Sequence, residues 1–221
     1  MTDLDGVLLD LDGTLCEYVR GTEQLLSAAF DAVGSDPLFT AEAYNDRVDV
    51  YADRADSMAE RRRLCFADLA AENGHDPDLG RTVAETYRDE RDHSNVRFLD
   101  GAARALDTLA ERYPLALVTN GGRGMQDRKI DGLGVRERFE TVVYAGQDVA
   151  AKPDPEPFET ALDALGVDAD RAVYAGNNYE ADVVGAANAD LPAVLVGEKP
   201  ASAPVEPLAV VDSPGALPDV L

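Results

Sequence analysis

The stretch Gly6-Val7-Leu8-Leu9-Asp10-Leu11-Asp12-Gly13-Thr14 decides how the rest of the chain is read. An apolar run that ends abruptly in an acidic, glycine-containing turn is the profile of a short parallel strand buried on both faces. Asp10 and Asp12 stand two residues apart at its carboxyl end. While the extended geometry lasts, both carboxylates point to one side. An Asp-x-Asp-Gly stretch by itself is more often a plain turn. The strand before it and the segments downstream favour a site. The same local pattern occurs at Asp3-Leu4-Asp5-Gly6, but only Met1 and Thr2 precede it, so no strand can present it.

Working outward, the rhythm changes twice. From about Thr22 to Asp92 the periodicity is helical, with no strand signal. Leu25, Leu26, Ala29, Phe30 and Val33 share one helical face, and residues 62–72 and 79–91 have the spacing of charged amphipathic helices. After Asn95, apolar runs alternate with helical segments. Strands are expected at 115–119, 141–145, 172–175 and 193–196, with helices from Gly122 to about Leu133, from Glu156 to Leu165, and between the last two strands. The expected fold class is α/β: a doubly wound, Rossmann-like parallel-sheet core (residues 1–15 and 96–221) interrupted by an α-helical domain over 16–95. The proline-rich tail, Lys199 to Leu221, reads as loosely structured. Ligands of such sheets bind beyond the carboxyl ends of the strands, at the topological switch point. Asp10, Thr119, Lys152 and Asn177 all lie at or just after strand ends, so four segments deliver polar groups to one edge.

The composition narrows the partners. The 221-residue chain has 43 acidic and 20 basic residues, a net charge of −23. Nucleic acids and anionic membranes are bound through cationic contacts, so neither is expected as a partner. Self-repulsion on this scale also fits a protein adapted to a salty cytoplasm. No apolar run is long enough for a membrane span, and the acidic N-terminus is unlike a signal peptide, so a soluble cytoplasmic protein is expected. Only Lys129, Lys152 and Lys199 are lysine among the basic residues. Cys16 and Cys65 suit neither a disulfide framework nor a paired metal site, and Cys16 reads as a packing residue.

Asp10-Leu11-Asp12-Gly13-Thr14 resembles the first motif of the haloacid dehalogenase superfamily, and Leu117-Val118-Thr119-Asn120-Gly121 resembles the second. Lys152-Pro153-Asp154-Pro155 is similar to the third, and Gly176-Asn177-Asn178-Tyr179-Glu180-Ala181-Asp182 to an altered fourth. The order and spacing match as well. The resemblance implies a magnesium-dependent phosphatase with Asp10 as nucleophile, forming an aspartyl-phosphate. Asp12 would serve as acid and then base, which calls for a pKa raised relative to Asp10. Thr119, Asn120, Gly121 and Lys152 would hold the phosphoryl group, helped by the positive end of the following helix. Asp10, Asp12 through its backbone carbonyl, Asn177 and Asp182 would hold Mg2+. The inserted helices would form a cap that closes over a small phosphorylated substrate, in a monomer or homodimer.

Asp12 separates activities within the family, because an alkoxide leaving group benefits from a proton and a halide does not. Its presence favours a phosphatase over a 2-haloacid dehalogenase. Asn177 stands where the family usually has aspartate, which removes one negative charge from the metal site, with Asn178 and Glu180 close by as substitutes. An enzyme with a weaker metal site is the leading reading, and a member acting by binding alone is the alternative. Gln126 and Lys129, after the second motif, are similar to pyrimidine 5′-nucleotidase-like members. Arg20, Arg47, Tyr51, Arg54 and Arg61-Arg62-Arg63 could face a leaving group, although pairing with acidic neighbours such as Asp49 and Glu60 is the simpler expectation.

Overall fold

The computed structural model describes residues 4–55 and 57–221. Asp3 of the alternative motif therefore lies outside the described residues, as do Met1 and Thr2 of the acidic N-terminus. The chain divides into two compact units. One comprises the chain up to Tyr18 together with His93–Leu221, and the other is Val19–Asp92.

The first unit is a six-stranded sheet. Its strands are β1 (Gly6–Leu9), β4 (Leu115–Asn120), β5 (Thr141–Ala145), β6 (Ala172–Gly176), β7 (Ala193–Val196) and β8 (Ala209–Val211). Their spatial order is β5-β4-β1-β6-β7-β8, and every pairing is parallel. The central strand β1 is buried along its whole length, as its apolar run demands. Val7 and Leu9 face one side of the sheet, against Leu106 and Leu109 of α5 (Ala102–Ala110) and Ile130 of α6 (Arg123–Leu133). Leu8 faces the other, in a cluster with Phe158 and Leu162 of α7 (Glu156–Leu165) and Ala186 of α8 (Gly185–Asn188). Helices thus cover both faces, which is the doubly wound α/β arrangement expected from the alternating pattern.

The chain passes from β1 to β4 and β5 on one side, then crosses to β6, β7 and β8 on the other. The carboxyl end of β1 is therefore where the winding reverses. Two features depart from the sequence reading. A short antiparallel ladder joins β2 (Cys16–Tyr18) and β3 (Val96–Phe98); three residues are too few to show alternation. The tail is also more ordered than its prolines suggest. It supplies β8 and the short helix α9 (Leu217–Val220), and its Leu217 and Leu221 are buried in the core.

The second unit is helical, as its periodicity requires. It contains α1 (Thr22–Val33), α2 (Ala41–Asn45), a 3-10 segment (Val48–Arg54), α3 (Met58–Glu72) and α4 (Pro77–Glu90). Leu25, Leu26, Ala29 and Phe30 of α1 enter its core with Val33 packed against them. Gly80 lets α4 pass close to α3, because a Cβ there would lie 2.3 Å from the Phe66 carbonyl oxygen. The arginines mostly pair within the unit: Arg20 with Glu90 at 3.1 Å, Arg47 with Glu72 at 2.6 Å and Arg63 with Glu60 at 3.3 Å. Arg62 is buried, bonds the Tyr44 hydroxyl and lies over the Tyr87 ring. Tyr51 donates to Asp68 at 2.7 Å, with Arg54 over its ring. Among the described residues, no helix is long and apolar enough to cross a membrane.

Candidate active site

Asp10 follows directly on β1, and its N–H donates to the Ala175 carbonyl of β6 at 2.9 Å, which fixes the carboxylate at the switch point. Thr14, on the turn beyond it, donates to Asp10 Oδ2 at 3.2 Å. That turn needs Gly13, whose φ is +78° and where a Cβ would lie 2.4 Å from Asn177 Nδ2. Glycine adopts such a φ without steric cost.

Lys152 reaches in from the loop after β5. Its Nζ lies 2.9 Å from Asp10 Oδ1, 2.7 Å from Asp182 Oδ1, 2.7 Å from the Tyr174 hydroxyl and 3.0 Å from the Val118 carbonyl. The tyrosine hydroxyl in turn lies 2.9 Å from Asp182 Oδ1. Asp10, Lys152, Tyr174 and Asp182 are all buried. Two carboxylates facing one ammonium leave an excess negative charge in a dry place. Burial accordingly pushes the Asp10 carboxyl up to about 6, against the opposing pull of Lys152, and Asp182 adds to the rise. The sequence reading looked for the raised carboxyl at Asp12. The deeply buried one is Asp10, because the strand end itself is buried. Burial works to lower the Lys152 pKa, but Asp10 and Asp182 outweigh it, and the ammonium is held above its ordinary value.

Asp182 lies on a π-helical turn, Tyr179–Val184, that begins after Asn178. Its second oxygen accepts the Asn178 N–H at 2.8 Å, so both oxygens already have protein donors. Gly176 makes room for it, since a Cβ there would lie 2.4 Å from the Asp182 carboxylate.

Thr119 and Asn120 end β4. The Asn120 side chain is engaged with the backbone of Lys152, donating to its carbonyl at 3.0 Å and accepting its N–H at 2.9 Å. The Gly121 N–H is taken by the Ala145 carbonyl at 3.2 Å. The Asn120 side chain thus clasps the Lys152 loop, and Gly121 is tied to the end of β5. The first N–H of α6, from Arg123, is taken by Gln147 Oε1 at 2.6 Å.

Asp12 has partners of its own. Lys129 Nζ lies 2.7 and 2.6 Å from its two oxygens, and Gln126 Nε2 lies 2.9 Å from Oδ2. Gln126 and Lys129 stand out in the sequence, but not in this role. Their signal was available: two polar residues three apart on α6 share one face, and Ile130 of the same helix is core. Tyr174 was missed, although a tyrosine inside a buried strand requires a partner for its hydroxyl. Cys16 is packing, as expected; burial pushes its thiol up to about 12.

Among the described residues, no three His, Cys, Asp or Glu side chains form a metal-holding group. Magnesium needs no such cage, since it keeps several waters and is often held by one or two carboxylates. The donors suit it. Thr14 Oγ1 lies 3.2 Å from Asp10 Oδ2 and 3.3 Å from Asn177 Oδ1. One hydroxyl proton cannot serve both, so two hard oxygens converge with lone pairs to spare, beside an uncompensated negative charge.

A family model for haloacid dehalogenase-like hydrolases matches residues 4–190, and the chain belongs to that family. It is a hydrolase with phosphatases among its relatives. Phosphoglycolate phosphatase of Rhodospirillum rubrum is 30% identical over 223 residues, covering 97% of this chain and 90% of that protein. Phosphoserine phosphatase of Thermus thermophilus is 33% identical over 135 residues, 61% of this chain, and the match spans about half, 54%, of its length. The crystal structure of the Bacillus subtilis hydrolase YfnB, bound to magnesium, shares the fold, with a TM-score of 0.79 at 20% identity over 99% of each chain.

Proposed function

We propose that this protein is a magnesium-dependent phosphomonoester hydrolase for a small phosphorylated metabolite, working through an aspartyl-phosphate on Asp10. The observation that carries this reading is the Asp10 carboxylate itself. It lies at the switch point of the sheet, with Lys152 on one oxygen and Thr14 on the other.

In this reading a carboxylate oxygen of Asp10 attacks phosphorus, the bond to the leaving oxygen breaks, and Asp12 protonates that oxygen. Asp12 then takes a proton from the water that attacks the phosphoenzyme, releasing inorganic phosphate and restoring the Asp10 carboxylate. Lys152 and the Thr119 hydroxyl bind the phosphoryl oxygens as charge develops on them. Mg2+, when bound, neutralises phosphoryl charge. Asp10, the Asp12 carbonyl and Asn177 would hold it, with Asp182 acting indirectly by fixing Lys152. The helical unit takes the role of cap. The protein works in a high-salt cytoplasm as a monomer or homodimer, without nucleic acid or membrane.

The test is hydrolysis of 4-nitrophenyl phosphate in molar KCl, with and without magnesium, beside an Asp10→Asn control. Magnesium-dependent turnover that is absent from the control is expected. Turnover surviving in the control would remove Asp10 as nucleophile. Halide release from a 2-haloacid without phosphatase activity would move the protein to the dehalogenase class.

A further inference from the structure

The geometry points to Gln126 and Lys129 as a positioning pair that aims Asp12 and Thr119 at the reacting phosphate. The inference rests on the phosphatase reading above. Lys129 is 2% exposed and Gln126 is fully buried, yet neither side chain is spent on packing alone. Lys129 engages both oxygens of Asp12, and its ammonium lies 4.8 Å from the centre of the Tyr18 ring. A cation over an aromatic face is held from a second side, so the ammonium is confined between ring and carboxylate. Two of the chain's lysines, 129 and 152, are therefore buried at this one site.

Gln126 does a different task one helical turn away. Its Nε2 donates to Asp12 Oδ2 at 2.9 Å and lies 2.8 Å from Thr119 Oγ1 and 3.3 Å from the Asn120 carbonyl. A hydroxyl that accepts from an amide has its own proton left to give. Thr119 is thereby set as a donor, which is what a phosphoryl oxygen requires. One amide thus ties the acid–base carboxylate to the phosphate-binding hydroxyl. The Gly121 backbone (φ +147°) makes room for it, since a Cβ there would lie 2.9 Å from Gln126 Nε2.

Asp12 is itself 40% exposed on its side chain, and without the pair it would sample several rotamers in water. Misplacement of a reacting group by about 1 Å costs ~10²-fold in rate. The step that depends most on Asp12 is hydrolysis of the phosphoenzyme, because nitrophenolate leaves without a proton whereas water must lose one.

Rapid-quench kinetics with 4-nitrophenyl phosphate read this directly. Lys129→Met and Gln126→Leu should each lower the steady-state rate about 10²-fold. They should keep a burst of nitrophenolate close to one equivalent, because the intermediate accumulates. Melting temperatures show that each variant is folded, and the two variants disrupt the pair independently. Burst and steady state falling together in both, or neither changing, overturns the positioning role while wild-type turnover keeps the phosphatase reading. A folded, magnesium-loaded wild type with no turnover on any of a panel of phosphomonoesters defeats that reading, and this one with it.

Discussion

Lys152 Nζ lies 2.7 Å from Asp182 Oδ1, and each side chain is only 2% exposed. Asp182 and Lys152 thus form a buried ion pair. Removing the lysine leaves two buried carboxylates facing each other, and stripping one partner from a buried ion pair costs about 3–5 kcal/mol. Lys152→Met should lose that much stability in urea unfolding at neutral pH and have no detectable turnover. Asp182→Asn keeps the shape and leaves a balanced Asp10–Lys152 pair, so its loss should be nearer 1 kcal/mol. Equal losses in the two variants would contradict the charge count.

The raised Asp10 carboxyl has a pH signature. Its folded pKa of about 6 lies above the ordinary 3.8, so between these values the folded state holds more protons than the unfolded one. Stability from this group is therefore fully present below about pH 4, declines as pH rises towards 6, and is flat above. Asp10→Asn lacks the decline. In chelator, the variant should gain on the wild type from pH 4 to 6 and stay ahead at pH 7 by on the order of 2 kcal/mol. Urea midpoints at each pH measure the difference, and a constant gap would refute the assignment.

Asn177 presents an amide oxygen 3.3 Å from Thr14 Oγ1. Asn177→Asp adds a negative charge beside Asp10 and should tighten magnesium binding about tenfold, a gain of ~1.4 kcal/mol. It should also lower stability in chelator, because nothing then balances the new charge. Magnesium titration by calorimetry tests the first effect and thermal melts test the second. Unchanged affinity would place the metal away from Asn177.

The net charge of −23 predicts that salt stabilises the fold. Raising KCl from 0.1 M to 2 M shortens the Debye length from about 10 Å to below 3 Å, and the melting temperature should rise on the order of 5 °C. A flat response would end the case for salt adaptation.

Much of the core was legible because its signals are local. The apolar run read from Gly6 to Asp10 forms strand β1 over Gly6–Leu9, and Glu156–Leu165 is helix α7, with Pro155 ahead of it and Gly166 behind. Signals of this kind arise from backbone preference and from burial of one face or both. The β2–β3 ladder and β8 carried no such signal. Their order comes from partners: β8 exists because Val194, Leu195 and Val196 of β7 offer it an edge.

The candidate site divides the same way. Which residues stand at strand ends follows from the sequence, since chain order and a parallel sheet together bring Asp10, Thr119, Lys152 and Asn177 to one edge. Which partner each side chain takes there was settled by the tertiary structure alone. Asp182 turned out to hold Lys152, Asn120 to clasp its loop, and Lys129 to hold Asp12 from 117 positions away in the chain. Hydrogen bonds and ion pairs act over about 3 Å in space, and sequence spacing has no term for a distance that only the packed fold creates.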